Sequence, residues 1–380
     1  MEVYGPSIEL DLSLPNVSSG LNFTVANVTD TNMVQNNDTT EEFNKSELNQ
    51  MLYFLFGKII CSFGITFNII NLCVLAQKEL SESPYIYLMA LAMSDMSFLA
   101  ISFVHLMSYS APSIGFAYFN IYVFFVGANI CFNTSVWLIV FITIERMTFV
   151  LWPMKAKPTR RKALIAITCI FIFCAIINIP RAFCYEIVVS TNGKFGTKGR
   201  PFRESELFYI LSWFHSVIIN FVPNLMLIVT NSVLILALRR ASKDRLRLQC
   251  NQAEAARRDQ SRLTRMLIII VIMFFICTIP SAFSDDPIGY ALFGKRKKQT
   301  WTQYVNSQGN LNLIYVINVL LYLNSSLNFL LYCAFNQKFR LATRHLFWKV
   351  KSSLRRSTRN PSGYVSNSCN SQKTCCSTKL

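Results

Sequence analysis

An isolated carboxylate, Asp95, lies inside the apolar run SPYIYLMALAMSDMSFL. At lipid depth such a group is costly, so it marks either an ion site or a hydrogen-bonded network. Polar side chains from other apolar runs could supply the oxygen ligands that a small hard cation needs, or equally the partners of a plain network around a neutral Asp95. A second feature is the pair Glu145-Arg146, at the end of the run NTSVWLIVFITIER. An arginine at a membrane edge is expensive unless it is paired or snorkelling. The pair reads either as a static boundary ion pair or as a switch in which Glu145 holds Arg146 until a partner helix replaces it. Metal and redox chemistry find little support. There are three histidines, no CxxC pair and no His/Cys ligand spacing. Cys61, Cys73, Cys131, Cys169, Cys174, Cys277 and Cys333 fall inside apolar runs, where cysteine is ordinarily a small packing residue.

The elements that must position these groups follow from composition. Of 380 residues, 52% are hydrophobic and 15% charged, against about 25% charged in an average soluble chain. A large soluble enzyme needs more charge on its surface, and a disordered chain needs fewer apolar residues. Seven apolar stretches lie near 51–76, 84–109, 118–150, 163–183, 207–238, 265–284 and 310–335. Each is long enough to cross a hydrocarbon core of about 30 Å as a helix. Pro180, Pro223 and Pro280 fall in or at the end of runs, which neighbouring membrane helices tolerate. The reading is an all-α membrane protein, a seven-transmembrane helix bundle. Its units are an extracellular tail over 1–50, the bundle over 51–335, a short amphipathic eighth helix over 336–349 on the inner leaflet, and a cytoplasmic tail over 350–380.

Orientation comes from the loops. The segment 151–162 carries Lys155, Lys157, Arg160, Arg161 and Lys162 without an acid, 239–265 carries nine Lys/Arg, and 336–380 carries ten and no acid. The alternate loops are less basic and contain Glu186, Glu204, Glu206, Asp285 and Asp286. The positive-inside rule places the amino end outside and the carboxyl end in the cytosol of the plasma membrane. It also accounts for most of the net charge of +17 without a nucleic-acid partner. Residues 1–50 hold five Asn-X-Ser/Thr sequons, at Asn16, Asn22, Asn27, Asn37 and Asn44, which implies a glycosylated exterior segment. MEVYGPSIELDLSLP has neither a basic start nor an apolar run, so the first helix is expected to carry this tail across.

Glu145-Arg146 followed by Pro153 resembles the D/E-R-Y segment of rhodopsin-like (class A) G-protein-coupled receptors, with Met147 in place of Tyr. Asn328-Phe329-Leu330-Leu331-Tyr332 resembles the family's N-P-x-x-Y with Phe329 replacing Pro, so any bend there is expected to be mild. FFICTIPSAF supplies Phe274, Cys277 and Pro280 of the sixth-helix motif, with Thr278 where the family has Trp. The resemblance covers roughly 51–348, and NSSLNFLLYC, NIPRAF and SVWLIVFITIER are most similar to invertebrate neuropeptide receptors of the FMRFamide-like group. It implies an activation switch of Glu145, Arg146, Phe274, Pro280, Asn328 and Tyr332. It also implies a sodium pocket of Asp95, Ser135, Asn68, Asn324, Ser325 and Asn328. The family's partners would follow: a secreted peptide, here of the RF-amide class, a heterotrimeric G protein, and arrestin.

Departures from the family pattern shape further expectations. The usual disulfide from the top of the third helix lacks its cysteine near Ile121, and Cys131 lies almost three turns deeper, so no bridge to Cys184 is expected. The seventh run has no lysine for a retinal Schiff base, and Ala128 stands where amine receptors carry an Asp. Glu186 or the pair Asp285/Asp286 could receive a peptide arginine bidentately, or could be a solvated loop face. Near the place where the family offers Arg146 an acidic partner on the sixth helix stands Gln260, with Asp259 adjacent, which could make the resting state leakier. In the tail, Ser352, Ser353, Ser357 and Thr358 are phosphorylation candidates, and Cys375 and Cys376 palmitoylation candidates. Ser377-Thr378-Lys379-Leu380 suits PDZ strand addition. The rival readings are a chemosensory or orphan receptor for a small molecule and a seven-span transporter. The transporter lacks an internal repeat and more than one clear midplane charge.

Overall fold

The computed structural model describes residues 37–80, 82–108, 113–152, 159–189, 195–245, 254–284, 286–294, 297 and 307–359. The first helix, Asn37–Leu75, starts well before residue 51, so Asn37 and Asn44 fall on helical backbone. The second is Ser83–Ser108, the third Ile114–Leu151, and the fourth Arg160–Phe183. The fifth rod combines Glu206–Ser216, Val217–Phe221 and Val222–Arg245. The sixth helix is Glu254–Ser284, and the seventh is the pair Gln308–Ser326 and Asn328–Phe335. Ser113, Thr159, Ser205 and Ser307 each stand just before a helix, and each hydroxyl accepts the N–H three residues on, at 3.1–3.4 Å. These caps satisfy donors that a helix start leaves open.

Five helices among the described residues are long and apolar enough to cross a membrane, and a sixth results if the bent pair is one span. Glu254–Ser284, with the apolar stretch Leu267–Ser281, fills the remaining place. Phe63, Ile176 and Leu225 are each at least 60% exposed on these rods. Such outward apolar surface is unfavourable in water and ordinary against lipid tails. The third helix packs against the second, fourth, fifth and sixth and is the most enclosed span. Its segment Phe119–Ala128 has the wider π-helical form, which the alternation of apolar residues does not announce.

The first helix approaches the second and seventh at Gly64. A Cβ built there would overlap Ser326 and come within 2.6 Å of Leu99 Cδ1, whereas one at Gly309 meets nothing within 4 Å. Small residues permit this close approach of backbones. We expect Gly64→Ala to cost about 2 kcal/mol through overpacking and Gly309→Ala to be neutral or better, as read from thermal unfolding of the purified protein. Equal midpoints for the two variants would contradict this packing.

The sequence reading needs revision at three places. A β-hairpin fills the loop after the fourth helix: Tyr185–Val189 pairs antiparallel with Phe195–Gly199 in the register Tyr185↔Gly199 and Glu186↔Lys198. The seventh helix bends by 43° at Leu327, although Phe329 replaces proline. The cause is Asn68, whose Nδ2 donates to the Ser325 carbonyl at 2.9 Å. In an unbroken helix that carbonyl would accept from Phe329 N–H, so a side chain entering the ladder does what proline does elsewhere. The eighth helix runs over Gln337–Arg359, ten residues beyond the expected end. Asn336 Oδ1 caps it by accepting from Phe339 N–H at 3.1 Å. Phe339 and Ala342 are buried against the bundle, while Leu341, Phe347 and Trp348 are exposed.

Candidate functional site

The helices bring Asp95 to a point shared by three of them. Ser135 Oγ on the third helix donates to its Oδ1 at 2.8 Å, and Asn328 Nδ2 on the seventh donates to Oδ2 at 2.7 Å. Ser325 is buried on the seventh helix three residues before Asn328. Asn68 joins through the backbone, spanning the carbonyls of Gly64 and Ser325 at 2.9 Å each. All five residues are at most 5% exposed. Asn68 Oδ1 has no hydrogen-bond partner among the described residues, and Asn324 is half-buried nearby in sequence. The donor set of carboxylate, hydroxyl and amide oxygens is of the kind that a hard monovalent cation accepts. Ser135 and Asn328 already satisfy the carboxylate in part, so the arrangement also serves as a three-helix knot.

A second centre lies at the far end of the third helix. Arg146 is 2% exposed, and its guanidinium donates to Glu145 Oε1 at 3.2 Å. The other carboxylate oxygen accepts from Ser83 Oγ at 3.2 Å, which ties the ion pair to the start of the second helix. Arg146 also lies over the Phe149 ring at 5.6 Å. Tyr332 is buried and packs edge-on to Phe339 of the eighth helix at 5.4 Å. Phe274 and Cys277 are buried in the sixth helix, which continues through Pro280. The geometry therefore joins Asp95, Ser135, Asn328, Asn68 and Ser325 in one cluster, and Glu145 with Arg146 in another.

The profile of the 7 transmembrane receptor (rhodopsin family) matches residues 51–332. The chain belongs to the rhodopsin family of seven-transmembrane receptors. It is a multi-pass membrane protein and a receptor, not an enzyme. Its relatives include a probable G-protein-coupled receptor of Caenorhabditis elegans, 25% identical over 74% of this chain and 66% of the relative. The FMRFamide receptor of Drosophila melanogaster is 23% identical over 81% and 56%, and neuromedin-U receptor 2 of Rattus norvegicus is 24% identical over 74% and 72%. The chain thus spans less than two thirds of the length of the first two.

Several polar contacts of the receptor had no sequence signal beyond a lone histidine or tyrosine in an apolar run. His105 Nδ1–H donates to Asn120 Oδ1 at 2.8 Å, with its ring stacked on Phe124 at 3.7 Å. They join the second and third helices one residue from Ile121. Arg181 donates to His215 Nδ1 at 3.1 Å, linking the fourth helix to the fifth. Tyr53 accepts from Asn318 Nδ2 at 3.3 Å and shares a 3.1 Å hydrogen bond with Tyr322.

The receptor's hairpin is placed without a disulfide among the described residues, Cys131 and Cys184 both being free thiols. Cys184 Sγ points to the Pro180 carbonyl at 3.5 Å. Burial pushes its thiol up to about 11, against the opposing pull of Arg181 and Arg203. Glu186 faces Arg200 Nε across 3.9 Å rather than a neighbouring helix. Asp285 lies outside the described residues, as do the side chains of Asp286, Asp259 and Gln260. So do Asn16, Asn22, Asn27, Cys375 and Cys376, and the side chains of Asn37 and Asn44.

Proposed function

We propose that this receptor binds a secreted peptide of the FMRFamide-like (RF-amide) class on its glycosylated, amino-terminal side. In response it activates a heterotrimeric G protein at the opposite, cytosolic face. The observation that carries this reading is the Glu145–Arg146 pair, held between two helices at the end of an enclosed third helix that also carries Ser135 of the Asp95 cluster. A ligand that binds the state with the pair released more tightly than the resting one shifts the population toward it. Arg146 and Tyr332 then line the cavity that the G protein enters. Asp95, Ser135, Asn68, Asn324, Ser325 and Asn328 would hold a sodium ion in the resting state, and the ion would supply a positive charge beside the buried carboxylate. Similarity to the Drosophila FMRFamide receptor over 81% of the chain supports the peptide class.

The test is expression with a promiscuous G protein and a screen of amidated peptides by nucleotide exchange. A response to peptides ending in Arg-Phe-amide, absent for the free acids, is the expected result. A response confined to small non-peptide compounds would replace the peptide reading.

A further inference from the structure

The eighth helix, Gln337–Arg359, has two unlike faces. On one, Phe339, Ala342 and Thr343 are buried, and the Phe339 ring meets Tyr332 and Phe329 of the seventh helix edge-on at 5.4 and 6.0 Å. Gln77 Nε2, just past the first helix, donates to the Ala342 carbonyl at 3.1 Å, and Lys338 Nζ meets Glu82 Oε1 at 3.2 Å. These contacts fix that face to the bundle at the end of the last span. The opposite face carries Leu341, 56% exposed, and Trp348, 68% exposed. At 3.6 residues per turn, positions 341, 348 and 352 fall within about 40° of one another around the helix. Ser352 therefore continues the line of Leu341 and Trp348, and its Oγ donates to the Lys349 carbonyl at 2.8 Å. Arg344, His345, Lys349 and Lys351 stand exposed around that line.

Over its length the helix has eight Lys/Arg and no Asp/Glu. Large apolar side chains among unopposed cations are unfavourable in water and match a surface of negative headgroups over acyl chains. Only Asn336 separates the helix from the seventh span, so that surface is reached without rearranging the bundle. A serine hydroxyl bonded within the helix costs little in such a face. A phosphate at the same place would be repelled by headgroups of its own sign.

We propose that the outward face of the eighth helix docks on anionic lipid of the adjoining leaflet and that phosphorylation of Ser352 releases it. Leu341 and Trp348 enter the acyl boundary, while Arg344, Lys349 and Lys351 meet the headgroups. A protein kinase supplies the γ-phosphoryl group of ATP. Its bond to the β-phosphate breaks, the Ser352 Oγ–P bond forms, and ADP and the hydroxyl proton leave. The product carries about 1.5–2 negative charges in line with Trp348. It can also pair with Lys349, three residues earlier, and so withdraw that cation from the lipid. The phosphate thus offsets about two basic residues, which lowers the bound-to-free ratio of the face about thirtyfold. The device lies one ring contact, through Phe339, from Tyr332. It rests on the cytosolic placement that the loop charges imply, and not on the peptide class.

The test uses the full-length receptor carrying Ser353→Ala, Ser357→Ala and Thr358→Ala, which leaves Ser352 alone of the four candidates. Trp348 emission is read as the difference between this protein and its Trp348→Phe counterpart. The nanodiscs contain brominated phosphatidylcholine as the quencher, with or without phosphatidylserine. Stronger quenching of Trp348 is expected where phosphatidylserine is present. After treatment with ATP and protein kinase C, with phosphate on Ser352 verified by mass spectrometry, the bound-to-free ratio is expected to fall about thirtyfold. Adding Ser352→Ala is expected to keep Trp348 quenched through the same treatment. Quenching indifferent to phosphatidylserine overturns the proposal, as does quenching retained by the Ser352-phosphorylated receptor, or a Ser352 that the kinase leaves unmodified. A failed peptide screen would remove the RF-amide reading and leave this result standing.

Discussion

Arg146→Ala is expected to reduce ligand-stimulated nucleotide exchange by a factor of ten or more at unchanged cell-surface density, while Glu145→Gln raises basal exchange. Both follow from one contact. The Arg146 guanidinium is almost wholly enclosed and meets Glu145 Oε1 at 3.2 Å, while Glu145 Oε2 is held by Ser83. A hydrogen bond to a charged group contributes about 1.5–3 kcal/mol. Neutralising Glu145 therefore removes roughly a factor of ten from the preference for the state that keeps this pair. Ser83→Ala, which removes only the hydroxyl that orients Glu145, should raise basal exchange by a smaller factor. The measurement is GTP-analogue uptake in membranes, normalised to surface-labelled receptor. Unaltered basal exchange in Glu145→Gln, with full stimulation retained in Arg146→Ala, would make the pair a static ion pair and end the switch reading.

Asp95→Ala is expected to destabilise the bundle by about 3 kcal/mol, since it strands two buried donors, each costing about 1–3 kcal/mol. Ser135 Oγ and Asn328 Nδ2 donate to the carboxylate at 2.8 and 2.7 Å, and among the described residues neither has another acceptor. Asp95→Asn keeps one oxygen and is expected to cost less. Either change should abolish stabilisation of the purified receptor by sodium over an equal concentration of choline, because the anionic ligand is gone. The thermal midpoint in detergent reads both effects. An Asp95→Ala protein that melts with wild type would show that the three helices do not depend on this knot. A sodium response that persists in Asp95→Asn would move the ion elsewhere.

Asp95 announced itself because a carboxylate in an apolar run has few physical justifications. Ser135 and Asn328 could be named as its partners only by resemblance, since 40 and 233 residues of sequence separation carry no local signal. Ser83 carries no such signal, since a serine before a proline at a helix start looks like an ordinary cap, and only packing shows its hydroxyl turned to Glu145. The bend at Leu327 likewise has no local signal. Losing the proline ring removes one cause of bending, while a side chain arriving from the first helix supplies another.

Seven apolar stretches, a lone carboxylate and a Glu-Arg pair are legible in residue order alone. Hydrophobic length and the cost of burying charge are local properties, readable from composition and order. The tertiary structure alone decided the π-form segment Phe119–Ala128, the hairpin over Tyr185–Gly199 and the Phe125–Tyr185–Arg203 stack. It likewise decided the seizure of the Ser325 carbonyl by Asn68. Each of these depends on which distant groups meet, and helix packing sets that rather than the propensity of any one segment.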